Sequence, residues 1–294
     1  MGGAFAAGLA SSTTVIVEDA MSGRAQDVAS SLGVLAGDAA SCDIVVVAVK
    51  PQDLATTMQA ITPRLSVGSV VMSVAAGWSL DRLAAAVPGH PVVRLMPNLA
   101  VANGNGVVAM ATTGLDADAV SAVRALLSPL GAVVVMDEAH FDIATAIGGS
   151  GPGFMAYIAK AMEDTGVAHG LARADARAMV QAVIAGTAGL LAHGEDPAEL
   201  QARVTSPGGT TAACIAVMHD AGAAGIVERA LGAAAGRAAG RGVPAADHRL
   251  PSVELLRVPP AHPRAGREDP RRPRLNRARL SRARHRAAPA RPVP

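Results

Sequence analysis

One segment of the chain combines residue types that bind an anion without a charged side chain. Residues 204–211 read Val-Thr-Ser-Pro-Gly-Gly-Thr-Thr, and an Ala-rich apolar run follows them. Proline and glycine predict a turn, and the apolar run predicts a helix that begins at its end. The first backbone N–H groups of a helix lack partners within the helix and attract anions. The segment therefore predicts an anion site made of backbone amides and hydroxyl groups.

Three other segments turn sharply directly after apolar runs. The first run ends in Lys50-Pro51, the second in Ala-Ala-Gly, and the third in Met-Pro-Asn at Asn98. If these runs are parallel strands, their carboxyl ends share one edge, where doubly wound sheets bind ligands. We expect a dinucleotide cofactor at this edge, with Asn98 facing its nicotinamide. The expected contact residues are Ala48, Val49, Lys50, Pro51, Val74, Ala75, Ala76 and Asn98.

Strands and helices alternate over the first half of the chain. The apolar runs are continuous, which is typical of a parallel sheet that is covered on both faces. The predicted strands lie within 13–19, 42–52, 68–77, 90–98, 105–112 and 131–138. The predicted helices lie within 22–33, 51–65, 79–87 and 116–131. Residues 1–142 are therefore predicted to form a doubly wound, mainly parallel α/β domain that binds a dinucleotide.

The first residues look like the second half of a dinucleotide-binding finger, which runs from a strand through Gly-x-Gly-x-x-Gly into a helix. Gly2 would be the last of these glycines, so Met1 and Gly2 are expected beside the pyrophosphate of the cofactor. The finger is expected to be incomplete, without its strand and first two glycines. At the end of the next strand, Glu18 and Asp19 favour NAD, whereas Arg24 favours NADP.

After residue 142 the predicted strands stop. Residues 143–242 read as helices that are separated by Gly, Pro and short polar turns. Several of these helices are apolar on almost every side, and such a helix must be buried all round. A helical domain of this size has few places to bury one. We therefore expect a second copy of the chain to cover it, in a homodimer or a higher homo-oligomer.

The last part of the chain differs in composition. Residues 243–294 carry 13 Arg and four acidic residues, many prolines and no aromatic residue. Such a segment buries too little surface to offset the entropy of ordering, so a disordered Arg/Pro-rich tail is expected. It contains no binding motif. We therefore expect a non-functional extension rather than a nucleic-acid-binding segment.

Composition also argues against several classes of protein. Cys42 and Cys214 are the only cysteines, and they lack metal-ligand spacing, so we expect neither a disulfide framework nor a metal site. No apolar run reaches the about 18 residues that span a bilayer. No charged segment precedes an apolar one at the amino end, as a signal peptide requires. We expect a cytoplasmic protein without membrane contact.

Taken together, the motifs resemble those of the pyrroline-5-carboxylate reductases, the family that catalyses the last step of proline synthesis. The matching segments are Ala-Val-Lys-Pro-Gln at 48–52, Ser-Val-Ala-Ala-Gly at 73–77, Val-Val-Arg-Leu-Met-Pro-Asn at 92–98, Gly-Ser-Gly-Pro at 149–152 and the segment 204–211. They occur in family order, and the resemblance covers about four fifths of the chain. The combination of the last two is highly specific.

The resemblance implies NAD(P)H-dependent reduction of the cyclic imine 1-pyrroline-5-carboxylate to L-proline, with NADP as the cofactor and NAD possible. It implies that the turn at 204–211 holds the substrate carboxylate and that the Thr211 hydroxyl meets the imine nitrogen. The implied substrate contacts are Ser206, Gly208, Gly209, Thr210 and Thr211. It further implies that an active site combines the cofactor edge of one chain with this turn of its partner.

The chain departs from the family pattern at both ends and within two motifs. The expected proline after Met-Pro-Asn is absent, and Gly-Pro-Gly-Phe at 151–154 replaces Gly-Pro-Ala-Tyr. Two alternatives are therefore kept. One is a truncated remnant that folds and dimerises without chemistry. The other is a related two-domain reductase of a different imine or a β-hydroxy acid, in which Lys160 would be the catalytic lysine.

Overall fold

The computed structural model describes residues 1–21 and 23–240, and strands alternate with helices over its first half. The strands are β1 (Ile16–Val17), β2 (Leu35–Ala36), β3 (Ile44–Val47), β4 (Val70–Ser73), β5 (Val92–Pro97), β6 (Gly106–Thr113) and β7 (Gly131–Val135). The α-helices are α1 (Gly2–Leu9), α2 (Arg24–Leu32), α3 (Leu54–Ile61), α4 (Leu80–Ala86), α5 (Ala117–Leu127), α6 (Phe141–Ala144), α7 (Gly151–Ala168), α8 (Arg173–Ala192), α9 (Pro197–Arg203), α10 (Thr210–Asp220) and α11 (Ala223–Ala238).

Five strands form one sheet in the order β3-β4-β5-β6-β7. Strands β3, β4 and β5 are parallel, β6 is antiparallel to β5, and β7 is parallel to β6. This mainly parallel sheet, followed by helices alone, confirms the predicted fold class. The antiparallel step has a local cause, because residues 98–105 between β5 and β6 are too few for a crossover helix.

Strands β1 and β2 form a separate parallel pair, with Ile16 opposite Leu35 and Val17 opposite Ala36. No sequence pattern predicted β2, because its two residues are exposed and too few to show an apolar period. Within the described residues, β1 and β3 each pair on one side only. Among the described residues, β1 and β3 are therefore edge strands of their sheets.

Strand β5 explains why the predicted strands are apolar throughout. Alternate residues of a strand point to opposite faces of the sheet. On one face Val92 belongs to an apolar cluster with Leu83 and Phe141. On the other face Val93 belongs to a second cluster with Phe5. Because both faces are covered, every position along the strand except Arg94 is occupied by an apolar side chain.

Helices α7, α8, α10 and α11 bury little of their own surface. Helices α7, α10 and α11 contain no fully buried residue, and α8 contains two, Ala176 and Val180. Their exposed large apolar side chains include Phe154, Met155, Tyr157, Ile158, Met162, Met179, Val183, Val217, Met218, Ile226 and Val227. So many exposed apolar side chains are typical of an interaction site, as predicted for helices that are apolar nearly all round.

Two predicted boundaries have different outcomes. The predicted domain boundary after residue 142 falls inside α6 and stays a prediction. The predicted tail 243–294 lies outside the described residues.

Among the helices of the described part, none is long and apolar enough to cross a membrane alone. Only α10 and α11 meet that test jointly, by length and composition, with a bend of 57° between them.

Candidate active site

The residues predicted to contact a cofactor lie along one edge of the sheet. Strands β3, β4 and β5 are parallel neighbours, so the segments that follow them, 48–51, 74–76 and Asn98, share this edge. The Ala75 N–H donates to the Ser73 hydroxyl oxygen over 3.2 Å, which turns the chain directly after β4. The structure thus brings these residues together, and their contact with a dinucleotide stays a prediction.

Helix α1 begins beside the same edge. A Cβ atom at Gly2 would lie 3.3 Å from the Cβ atom of Ala48, so glycine allows the helix to approach the end of β3. No side chain caps the amino end of α1 at Met1. An uncapped helix start beside the carboxyl ends of parallel strands is where doubly wound folds bind a pyrophosphate. This placement fits the role predicted for Met1 and Gly2.

The side chain of Asn98 is already engaged within the chain. Its Nδ2 group donates to the Gly148 carbonyl over 2.9 Å, and its Oδ1 accepts from the N–H groups of Ala100 and Val107. The residue is only 8% exposed. Asn98 therefore ties the end of β5 to the π-helix Thr145–Gly149. These bonds show a structural role, and a contact with the nicotinamide stays a prediction.

The charged residues after β1 pair with one another and with a later segment. Glu18 accepts from Arg64 Nη2 over 2.8 Å and from the Ala39 N–H over 2.9 Å. Arg24 Nε lies 3.5 Å from Asp19 Oδ2. Both the acids that favour NAD and the arginine that favours NADP therefore have partners inside the chain. The geometry of these residues leaves the choice of dinucleotide open.

Arg64 links two acidic residues near the small sheet. It bonds to Asp38 as well as to Glu18. The Arg64 hydrogen bond holds the pKa of the exposed Asp38 carboxyl below its ordinary value. The same contacts raise the pKa of Arg64, with the Glu18 hydrogen bond as the main cause. A shallow cavity of about 270 Å³ beside this pair is lined by Glu18, Asp19, Met21, Gly23, Ala25, Gln26 and Gly37.

The turn before α10 has the form predicted for an anion site. The Gly209 N–H donates to the Ser206 carbonyl over 3.0 Å, and Gly208 has a φ of +71°. A Cβ atom at Gly209 would lie 2.5 Å from Ser206 Oγ and 3.1 Å from the Ser206 carbonyl oxygen, so a larger residue would require Ser206 to move. Helix α10 begins at Thr210, and no side chain caps it. Thr210 is exposed and Thr211 half-buried, so the first-turn amides and hydroxyls are within reach of a ligand.

Helix α9 leads into the turn, and two side-chain contacts stabilise it. The Asp196 carboxylate caps α9 by accepting from the N–H groups of Ala198 and Glu199. Arg203, the last residue of α9, pairs with Glu195 at 2.7 Å. These contacts fix the helix that leads into the turn. Arg203 is the nearest positive charge in sequence to the turn, and it is neutralised by this pair.

The turn is not held against the cofactor edge by extensive packing within the chain. In the part of the chain that the structure describes, α10 packs mainly against α11. Helix α11 in turn packs against α6 and the π-helix Thr145–Gly149. The predicted substrate turn is therefore connected to the sheet through α11, α6 and the π-helix, which packs on β5 and β6.

Comparisons with known proteins agree with these features. Residues 138–240 match the family described as "Pyrroline-5-carboxylate reductase dimerisation", and residues 1–77 match "NADP oxidoreductase coenzyme F420-dependent". A pyrroline-5-carboxylate reductase of Pseudomonas aeruginosa is 39% identical over 209 residues, which are 68% of this chain and 75% of the relative. That of Corynebacterium melassecola is 38% identical over 66% of this chain and 74% of the relative. The chain belongs to the pyrroline-5-carboxylate reductase family.

Solved structures of this family have the same fold. The pyrroline-5-carboxylate reductase of Streptococcus pyogenes matches with a TM-score of 0.69 and 27% identity, over 81% of this chain and 93% of the other. That of Coxiella burnetii matches with a TM-score of 0.76 over 83% and 95% of the two chains, at 23% identity. The likeness covers both the sheet and the helices that follow it.

An ion pair between a buried arginine and a half-buried glutamate connects the sheet of this pyrroline-5-carboxylate reductase family member to its helices. Arg94 in the central strand β5 is 9% exposed and donates to Glu138 Oε1 over 2.7 Å. Its guanidinium also stacks on the Phe141 ring, 4.3 Å from the centroid. The same Glu138 oxygen accepts from the Leu80 N–H over 2.8 Å, at the start of α4. A carboxylate there satisfies a free amide and the positive end of the helix dipole.

Sequence patterns did not assign this pair, although one signal was present. Arg94 interrupts an otherwise apolar strand, and a charge at a buried position requires a partner. The identity of the partner depends on a contact 44 residues away in the chain. Glu138 lies in the segment that leads from β7 to α6, so its pairing places that segment against β5 and α4.

Lys160, the lysine that a related β-hydroxy acid reductase would require, is a surface residue here. Its side chain is 75% exposed and pairs with Asp164. Asp164 also pairs with Arg173, and the hydrogen bond from Lys160 is the main cause that lowers the pKa of this carboxyl.

In residues 1–21 and 23–240 no three His, Cys, Asp or Glu side chains are grouped as metal ligands.

Replacement of Glu138 tests the ion pair. We expect Glu138→Ala to lower the free energy of unfolding by about 2–4 kcal/mol, because it leaves the buried Arg94 charge and the Leu80 amide without a partner. Glu138→Gln should have a smaller effect, since its carbonyl oxygen still accepts both bonds. The measurement is urea unfolding followed by circular dichroism.

Asp137→Ala is the matched control, because Asp137 is the exposed neighbouring carboxylate. It should change the free energy of unfolding by less than about 0.5 kcal/mol. Equal losses in Glu138→Ala and Asp137→Ala would show that the pair does not stabilise the fold.

Proposed function

We propose that the protein reduces 1-pyrroline-5-carboxylate to L-proline with NAD(P)H. Membership of the pyrroline-5-carboxylate reductase family supports the reaction class, an oxidoreductase that acts on a C=N bond. The observation that carries the proposal is the turn at 204–211, which precedes a helix without a side-chain cap. It supplies an anion site without a charged side chain, as a substrate carboxylate requires.

In this proposal the turn binds the substrate and orients it. The amides of Thr210 and Thr211 and the Ser206 hydroxyl hold the carboxylate, while Gly208 and Gly209 keep side chains out of the way. The Thr211 hydroxyl faces the ring nitrogen, either as its hydrogen-bond partner or as the proton donor. Hydride donation to the imine carbon is the chemistry that a bound reduced nicotinamide supplies. Because this imine is readily protonated, orientation by the protein suffices and no strong acid is needed.

For the cofactor we propose binding along the edge described above, with NADP as the dinucleotide and NAD as the alternative. The proposed contacts are Met1, Gly2, Ala48, Val49, Lys50, Pro51, Val74, Ala75, Ala76 and Asn98. Residues 1–77 match a family that is described as an NADP oxidoreductase. A pyrroline carboxylate reductase structure from Plasmodium falciparum, similar in fold, is described as having NADP bound. Arg24 follows shortly after β1 in the sequence, and in this proposal it meets the 2′-phosphate of NADP, although it pairs with Asp19.

We also propose a homodimer, located in the cytoplasm, whose active sites are shared between chains. The matching dimerisation family covers the exposed apolar helices. Helix α10 packs on α11 rather than on the cofactor edge of its own chain. In the proposal the turn of one chain completes the cofactor edge of its partner. No observation in the described residues favours a remnant without activity or a β-hydroxy acid reductase.

The reaction is tested by following NADPH and NADH absorbance with pyrroline-5-carboxylate. We expect oxidation of the dinucleotide that depends on the imine, and formation of proline in equal amount. β-Hydroxy acids with the oxidised dinucleotides should give no reaction. Turnover of a β-hydroxy acid without turnover of the imine would contradict the proposal.

Thr211→Ala tests the hydroxyl group. We expect kcat to fall about 10- to 100-fold, which corresponds to about 1.5–3 kcal/mol for a hydrogen bond to a charged group. The Kd of the dinucleotide should stay the same, because the hydroxyl touches the substrate, and Thr211→Ser should keep most of the activity. Thr165→Ala is the control, since that hydroxyl bonds to the Ala161 carbonyl on α7. Full activity of Thr211→Ala would remove the hydroxyl from the mechanism.

A charge on the exposed apolar helices tests the dimer. Met179 and Val183 on α8 are 60% and 55% exposed in the single chain. We expect the double substitution Met179→Asp and Val183→Asp to give monomers in light scattering, because burying two carboxylates in an interface is costly. Val67→Asp, at a fully exposed valine before β4, should leave the assembly unchanged. If both variants assemble as the wild type does, these helices are not the interface.

A further inference from the structure

Trp78 bridges two of the turns at the cofactor edge. It is the single tryptophan of the chain and lies between β4 and α4. Its indole N–H donates to the Pro51 carbonyl over 3.2 Å, which connects the turn after β4 to the turn after β3. The indole is half-buried and packs on the same apolar cluster as Val49. The proposed function uses both turns but gives Trp78 no role.

The indole ring is itself held in place. The Arg82 guanidinium lies over it, 4.1 Å from the ring centroid, and Arg82 Nη1 donates to the Gly77 carbonyl over 3.2 Å. Gly77 has a φ of +77°, which turns the chain away from β4. The Ser79 hydroxyl accepts from the Arg82 N–H and caps α4. Residues 77–82 therefore form a rigid turn from which the indole reaches the neighbouring strand end.

Apart from the Trp78 bond, the hydrogen bonds of residues 50–53 join them to near neighbours in the sequence. Lys50, Pro51, Gln52 and Asp53 are all exposed. Within this segment the Lys50 carbonyl accepts from the Asp53 N–H over 2.9 Å, and the Asp53 carbonyl accepts from the N–H and the hydroxyl of Thr57 over 3.0 and 2.9 Å. These bonds stay within the turn and the start of α3, so they shape the segment without connecting residues 50–53 to the turn after β4. The Trp78 bond provides that connection.

We propose that Trp78 is a positioning residue for the dinucleotide: its bond to Pro51 holds the turns after β3 and β4 in the arrangement that receives the cofactor. This inference rests on the proposed function, because it requires a dinucleotide at this edge. A site whose parts are ordered before binding loses less entropy when the ligand arrives. Trp78 therefore lowers the Kd of the dinucleotide without touching the reacting atoms.

The test removes the indole N–H bond to Pro51 and keeps an aromatic ring at position 78. Trp78→Phe retains an aromatic face for Arg82 and lacks the N–H donor. Asp81→Ala is the matched control, since it changes an exposed side chain at the start of α4 and leaves both the indole N–H bond to Pro51 and the Arg82 contact in place. The experiment uses the full chain of each variant and of the wild type.

Two quantities decide the proposal. Hydrogen–deuterium exchange in the absence of ligand should be faster for the amides of residues 48–54 in Trp78→Phe than in the wild type and in Asp81→Ala. Calorimetric titration should give a Kd for NADPH or NADH about fivefold higher for Trp78→Phe, as expected for one lost hydrogen bond. The kcat for the imine should stay within about twofold, because a positioning role acts on binding.

Unchanged exchange in residues 48–54, or an unchanged Kd, would overturn the proposal, as would an equal rise in Kd for Asp81→Ala. Failure of the proposed function has a different signature. A wild type that binds the dinucleotide but does not reduce the imine would contradict the proposed reaction alone, and the Kd ratio would still decide the role of Trp78. A wild type that binds no dinucleotide would contradict both.

Discussion

The buried charge of Arg94 imposes a constraint on which the arrangement of the chain depends. A guanidinium in the central strand of a sheet must be paired, because an unpaired charge at that depth costs several kcal/mol. The partner, Glu138, belongs to the segment that leads from the sheet into the helices, and it also caps α4. The Glu138 carboxylate thus connects β5, α4 and the segment between β7 and α6. Next to it, Asn98 connects the end of β5 to the π-helix Thr145–Gly149.

The proposed cofactor edge and the proposed substrate turn lie on parts of the chain that differ in burial. The edge is carried by parallel strands whose side chains are buried on both faces. The turn before α10 lies on helices that expose most of their apolar surface within the single chain. Two requirements of the proposed reaction are met in this way: the dinucleotide needs a preformed edge, and the substrate carboxylate needs free helix amides. A partner chain would cover the exposed helices and bring the turn to an edge.

Local patterns predicted what depends on local sequence. The continuous apolar runs of β3, β4 and β5 predicted strands and therefore the shared edge. The proline and glycines at 207–209 predicted a turn, and Gly208 has the positive φ of one. Strand β2 was missed because two exposed residues carry no period. The role of Glu138 was missed because it depends on contacts 44 and 58 residues away. The Trp78 bond is of the same kind, since a tryptophan after a strand does not reveal its acceptor.

The central claim, an active site that combines the edge of one chain with the turn of another, is tested most directly by mixing two inactive variants. Thr211→Ala disables the turn, and Ala76→Asp places a carboxylate at the exposed cofactor edge. Each variant alone should be inactive or nearly so. Co-expressed with different tags, they should recover about a quarter of the wild-type imine reduction, because half of randomly paired dimers are mixed and each has one intact site. Activity in the mixture that stays at the level of the separate variants would show that each site lies within a single chain.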